Sequence, residues 1–300
     1  MQDLKEIEII FVDDFSSDKS VKIINNFRKR DKRIILINNK KNMGSLYSRA
    51  IGANIAKGDY FIFFDSDDII LKEGILKAYN HIVKYKLDLV QFLSIMHKNE
   101  DVFTTKYFYQ YKNVIKQPML SYIFFYYKKS GVEQNYFLWD KLVKKKIVLK
   151  SLRYIGENFI QSRILIENDV VLFYGILKMA ESYQFIESPG YYYFVKNKDS
   201  ITGTSNDPEK VNDIIRSILM NIQFLFQKTS NTFLEKSYCV FKFKQSFQRY
   251  KHIKNAKQQI NFMKNLFDIF FDSKFVSNKD KLDLFKLYLT IFNIDGSIRE

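Results

Sequence analysis

The chain has 300 residues, enough for one large domain or two smaller ones, and its 46% apolar content excludes a disordered polymer. A net charge of +15 favours acidic partners such as nucleotides, phosphorylated substrates and anionic surfaces. One cysteine, Cys239, and three scattered histidines (His81, His97, His252) exclude an intrachain disulfide and argue against a zinc centre. No apolar run reaches the ~18 residues of a membrane span and no leader opens the chain, so a cytoplasmic location is expected, with peripheral contact at an anionic membrane.

Residues 7–12 read as a strand ending in Asp13-Asp14. Ser16, Ser17 and Asp18 offer N-caps for a helix to about residue 30, with Val21, Ile24 and Phe27 on its inner face. Residues 34–37 form the next strand, and 38–44 a polar loop. A helix over 45–56 follows, closed by Lys57 and a C′ glycine, Gly58. The aromatic run 60–64 reads as a strand buried on both faces. It stops at Asp65, Ser66, Asp67 and Asp68. A helix over 72–86, with Ile75, Leu76, Tyr79, Ile82 and Val83 inward, leads to a strand over 88–93.

This alternation implies a parallel sheet with helices on both faces, which binds ligands beyond the carboxyl ends of its strands. Three polar clusters fall at that edge: Asp13-Asp14, residues 39–44, and Asp65 to Asp68. The carboxylates of the third repel one another unless a cation or a hydrogen-bond network sits among them. Hard oxygens at this density suit Mg²⁺ or Mn²⁺. A solvated acidic turn capping the next helix would use the same residues.

Farther on, 97–116 is polar with room for short strands, and 117–129 reads as helical. Residues 136–146 are amphipathic with a basic end. Trp139 is a core anchor, and Asp140 caps or pairs with Lys141 or Lys144. A helix begins within 166–174, with Val170, Phe173, Tyr174 and Leu177 inward. Asp169 lies in its first turn, where the helix dipole favours a carboxylate; charge matching alone would place it there. Pro189-Gly190 marks a turn before a strand over 191–195. After Asp207-Pro208 the apolar spacing is helical only. Within that region the basic, aromatic stretch 242–257 fits either an anionic surface or a solvated helix face. The second is favoured, and no specific nucleic acid partner is expected.

Several stretches together resemble family 2 glycosyltransferases of the GT-A fold. Phe11-Val-Asp-Asp-Phe-Ser-Ser-Asp18 resembles the family's V-D-D-G-S-x-D, with Phe15 in the place of glycine. Asn42-Met-Gly44 followed by Ser48-Arg49-Ala50-Ile51-Gly52 resembles N-x-G followed by A-R-N-x-G. Lys57 to Asp68 resembles A-x-G-x-Y-I-x-F-L-D-S-D-D. Trp139-Asp-Lys-Leu142 resembles W-[ND]-K-L, Asn168-Asp169 to Phe173 resembles E-D-x-x-F with Asn168 for glutamate, and Ser200-Ile-Thr202 resembles a closing S-I-T. The matches run in family order from residue 7 to about 204.

The resemblance implies an α/β, GT-A-like (Rossmann-like), mostly parallel sheet flanked by helices, plus an all-helical C-terminal region. It implies a nucleotide-sugar-binding half (1–96), an acceptor-binding half (97–204) and a helical region (205–300). The implied reaction is metal-dependent transfer of a sugar from a nucleotide-sugar donor, UDP-linked, to an acceptor hydroxyl with inversion. The implied acceptor is a glycan, a lipid-linked molecule or a protein. By the same resemblance Asp13 or Asp14 contacts the nucleobase, Arg49 lies near the nucleotide, and Asp65 bonds the ribose. Asp67 binds Mn²⁺ or Mg²⁺, and Asp169 is the general base. The family usually opens with a further strand and helix ahead of V-D-D, which this sequence does not show. A non-catalytic relative and a basic membrane- or nucleic-acid-binding module are the alternatives.

Overall fold

A computed structural model describes residues 4, 6–98, 101–104, 113–117, 120, 125–128, 131–134, 136–194, 208–228, 265, 268 and 269. The chain divides into two compact units, Met1–Thr204 and Ser205–Glu300. The expected loop 196–204 and stretch 242–257 lie outside the described residues.

In the first unit, β1 (Ile9–Asp13) and β2 (Ile34–Asn38) pair in parallel as a two-stranded sheet. The connecting α1 (Ser20–Arg28) lies against β2, and Asp18 Oδ1 accepts the Ser20 N–H at 2.8 Å. No residue of α1 is fully buried, and Phe27, expected inward, is exposed. The next helix, α2 (Ser45–Ile55), packs on β1 through small residues; a Cβ on Gly52 would meet Val12 and Ile10 at ordinary contact distance. Its end differs from expectation. Ala56, in extended conformation, terminates α2, and Gly58 does not take a positive φ. Glu8 Oε1 instead accepts the N–H groups of Lys57 and Gly58, both at 2.6 Å.

A larger sheet is ordered β3 (Tyr60–Phe61), β10 (Lys141–Lys144), β5 (Leu89–Lys98), β11 (Ser182–Phe194), β4 (Ile69–Ile70). β6 (Asp101–Thr104) adds to β5, and β7 (Ile115–Lys116) to β11. β5 and β11 run parallel. β10 enters antiparallel between β3 and β5, so the α/β architecture is as expected but its strand pairings are mixed. Because β10 pairs only with Tyr60 and Phe61, the aromatic run leaves the sheet early and Phe64 is exposed. Residues 125–128, expected in a helix, form β8 (Phe125–Lys128), paired with β9 (Gly131–Gln134); aromatic residues suit a strand. Pro189-Gly190, expected as a turn, is an irregularity inside β11, where a strand tolerates proline.

The core of this sheet collects Ala78 and Ile82 of α3 (Gly74–Lys84) with Leu87, Val90, Phe92, Trp139, Leu142 and Tyr191. Val83, expected inward, is exposed. Beyond β10, α4 (Lys145–Ile155) and the short α5 (Glu157–Ile160) lead to α6 (Asn168–Met179). Every residue of α6 from Val170 to Leu177 is buried, as an all-round apolar helix must be, and it packs on α4. In the second unit, α7 (Pro208–Lys228) buries Ile215, Ile218, Ile222, Phe224 and Leu225. Among the described residues no helix is long and apolar enough to cross a membrane.

Candidate active site

Two groups of bonds organise the polar clusters, one centred on Asp14 and one on Arg49. Asp14 folds onto the loop after β2. Its Oδ1 accepts the Asn39 side-chain amide at 2.9 Å and the Met43 N–H at 2.8 Å; its Oδ2 accepts the Gly44 N–H at 2.7 Å. Bonds to a charged acceptor are the stronger kind, so Asp14 clamps this loop. Asn39 also donates to Ser48 Oγ at 3.1 Å, and its N–H to the Asp13 carbonyl at 2.8 Å. Gly44 has φ +85°, and a Cβ there would stand 2.7 Å from the Ile164 carbonyl oxygen, so glycine is required. Asp13 is buried, with Oδ2 accepting the Ser16 N–H at 3.1 Å. Phe15 follows with φ +70° and 63% exposure. That backbone favours the glycine of the motif it resembles.

From α2, Arg49 reaches two further elements. Its guanidinium donates to Asn168 Oδ1 and Asp169 Oδ1 at the start of α6, and to Asp65 Oδ1 at 3.1 Å. Asn168 completes the clasp by donating to Ser45 Oγ at 2.9 Å. Burial works against the Arg49 charge, but Asp169 and Asp65 more than offset it and hold the group above its ordinary value. Burial also pushes Asp65 up to about 6. Arg49 opposes that rise, and repulsion from Asp169 and Asp68 adds to it. One guanidinium thus holds together two carboxylates from distant parts of the chain.

Behind Asp65 stands Tyr191. Its hydroxyl donates to Asp68 Oδ2 at 2.7 Å and accepts the Asp65 N–H at 3.4 Å. The bulge at Pro189 and Gly190 aims it there, a common use of bulges beside sites. Trp139 stacks on Tyr191 with ring centroids 4.7 Å apart, and on Tyr193 at 5.3 Å. Asp67 is exposed on the same turn. Burial, followed by the charges of Asp68, Asp67, Asp65 and Asp169, raises the Tyr193 phenol.

Of the residues singled out from sequence, Arg49, Asp65 and Asp169 meet directly. Asp13 and Asp14 shape the adjoining loop, and Asp67 faces outward nearby. Asn39 was marked only as part of the 39–44 cluster, and Tyr191 and Ser45 were not singled out. Nothing local pairs Tyr191 with Asp68, 123 residues earlier.

Residues 1–152 match the family model for glycosyl transferase family 2. A cholesterol galactosyltransferase of Borreliella burgdorferi is 30% identical over 201 residues, covering 64% of this chain and 52% of that protein. An uncharacterized glycosyltransferase of Haemophilus influenzae is 42% identical over 86 residues, covering 29% of this chain and 34% of that protein. The chain thus spans about a third to a half of the length of these relatives. The crystal structure of S. aureus TarS 1-349 in complex with UDP shares the fold, with a TM-score of 0.62 at 17% identity, covering 97% of this chain and 81% of that one. The family match takes in Asp13, Asp14, Arg49, the 65–68 turn and the segment from Trp139 to Leu142, and the chain belongs to glycosyl transferase family 2.

Proposed function

We propose that this chain transfers a sugar from a UDP-linked donor to an acceptor hydroxyl, with inversion at the anomeric carbon. The observation that carries the reading is the Arg49 bridge between Asp65, in the segment between β3 and β4, and Asp169 at a helix start. In this reading Arg49 would be a fork for phosphate, Asp65 a donor-side carboxylate and Asp169 the base. UDP as the nucleotide draws support from the UDP held by TarS, which shares the fold. Residues 1–96 would carry the donor half and 97–204 the acceptor half. The relative named for cholesterol makes a lipid acceptor at a membrane surface the first to test.

Asp13 is the candidate for the nucleobase, because Asp14 already holds the loop through both oxygens. Asp65 would accept from ribose hydroxyls. The residues present fit Mn²⁺ or Mg²⁺. Asp67 stands exposed on the turn that also carries Asp65 and Asp68, and hard carboxylate oxygens suit either ion. Among the described residues no three carboxylates form a closed cage, and these ions commonly take one or two carboxylates plus substrate phosphates. Asp67 would be the protein's ligand, and the ion would stabilise the departing diphosphate's charge. Asp169 would accept the proton of the acceptor hydroxyl as that oxygen attacks the anomeric carbon opposite the diphosphate; attack from that side gives inversion.

Calorimetric titration of UDP with and without Mn²⁺, on the native chain and Asp67→Asn, tests the reading. Affinity that needs Mn²⁺ and drops at least about tenfold in Asp67→Asn is expected, roughly one lost charged ligand. Salt-sensitive binding to duplex or anionic vesicles, with no UDP binding, would favour the basic-module alternative instead.

A further inference from the structure

The turn that carries Asp67 joins strands at opposite ends of the sheet order, β3 and β4, and residues 62–68 between them belong to no strand. Inside the turn the Asp68 N–H donates to the Asp65 carbonyl at 3.2 Å. β11 braces the turn from the sheet. Tyr191 pairs with Ile70 of β4, and the Leu71 N–H donates to the Gly190 carbonyl at 3.0 Å. A Cβ on Gly190 would stand 2.5 Å from Phe92 Cδ2, so the chain at this point lies directly on the core.

The Tyr191 side chain reaches the turn itself. Its ring is buried, stacked on Trp139 with centroids 4.7 Å apart and in edge contact with Phe64 at 5.9 Å. Its hydroxyl donates to Asp68 Oδ2 at 2.7 Å and accepts the Asp65 N–H at 3.4 Å, so one oxygen touches both ends of the turn. Burial, then the bond to Asp68, raises the phenol above its ordinary value, and the hydroxyl keeps its proton and stays a donor. Asp65 is the carboxylate that Arg49 holds at 3.1 Å. Asp67 lies between the two bonded residues and is exposed.

A buried tyrosine needs a partner for its hydroxyl, and one partner satisfies it. Tyr183, buried on the same strand, donates to Gln91 Oε1 at 2.8 Å within the core. Tyr191 differs in that its hydroxyl joins a backbone N–H to a carboxylate across one turn, the turn that holds the donor-side residues. We propose that Tyr191 is a positioning residue for the donor end of the site: its hydroxyl closes the 65–68 turn, which sets Asp65 against Arg49 and presents Asp67 to the metal and the diphosphate. The role rests on the glycosyltransferase reading, but the closure of the turn does not.

The test uses the full chain and two variants. Tyr191→Phe keeps the ring and removes only the hydroxyl. Tyr183→Phe removes a comparable bond from the same strand, away from the turn, and is the control. In metal-free buffer, amide hydrogen exchange followed by NMR should find the wild-type Asp65 N–H protected although it lies outside any strand. That exchange should quicken about fivefold or more in Tyr191→Phe, the scale of one hydrogen bond, and stay native in Tyr183→Phe. With saturating UDP, the Mn²⁺ concentration for half-maximal binding, read from the signal of free Mn²⁺, should rise about fivefold or more in Tyr191→Phe alone. An unprotected Asp65 amide in the wild-type chain would overturn the proposal. So would native Mn²⁺ affinity in folded Tyr191→Phe, or an equal loss in Tyr183→Phe, which would mark a general loosening of β11. A wild-type chain that binds no Mn²⁺ with UDP, while Asp65 exchange still responds to Tyr191→Phe, would count against the glycosyltransferase reading and leave the closure of the turn standing.

Discussion

Replacing Gly44 by alanine tests whether the Asp14-clamped loop is held by backbone geometry as well as by hydrogen bonds. Two penalties combine at this site. At φ +85° and ψ 161° an alanine sits in a region that is essentially glycine's own, at a cost of about 1–3 kcal/mol. The new Cβ would also stand 2.7 Å from the Ile164 carbonyl oxygen, a backbone atom that cannot swing away. Gly156 separates the two effects, because it has φ +95° but nothing within 4 Å of a Cβ. Gly156→Ala should therefore cost about 1–2 kcal/mol from the backbone alone, and Gly44→Ala about 3 kcal/mol or more. Urea unfolding followed by Trp139 fluorescence is the assay. Trp139 is the chain's one tryptophan and is buried in the first unit, so the signal is not mixed with that of the second. Equal losses in the two variants would refute the role given to the Ile164 contact. A loss under about 0.5 kcal/mol at Gly44 would refute the backbone argument as well.

Phe15→Gly should stabilise the chain by about 0.5 kcal/mol, since relief of the left-handed backbone slightly exceeds the added freedom of the unfolded chain. A loss of stability in the same urea assay would show that the exposed ring makes contacts that matter. Asp65 titrates near 6 in the folded chain, above its ordinary value, so the folded state holds its proton more tightly than the unfolded one. Its contribution to stability is therefore greatest below about pH 4 and falls as pH rises towards 6. In metal-free buffer the melting temperature of Asp65→Asn should lack that part of the decline; identical pH profiles for the two proteins would contradict the assignment.

Apolar patterning was enough for the strand-helix alternation up to residue 93 and for the polar clusters that follow its strands, whereas Arg49 was legible only through the motif it resembles. Asp169 was legible only through its motif, since a helix-start carboxylate is common for dipole reasons alone. The pairings that failed to show are long-range. β10 slips antiparallel between β3 and β5, and no local pattern announces which edge a four-residue strand will choose. Tyr191 looks like any strand aromatic until the bulge at Pro189 turns it to Asp68. The end of α2 misled because Lys57-Gly58 is a good stop signal, but Glu8 takes both N–H groups and a left-handed glycine is not needed.

The central claim is that Asp169 is the base of a sugar transfer whose donor is held by other residues. The most direct measurement is UDP release from a panel of UDP-sugars, with water or an added lipid or glycan hydroxyl as acceptor, for the native chain and Asp169→Asn. The variant should bind UDP with native affinity yet lose at least about a hundredfold in turnover, the scale of one general base. Turnover by Asp169→Asn at the native rate would contradict the claim.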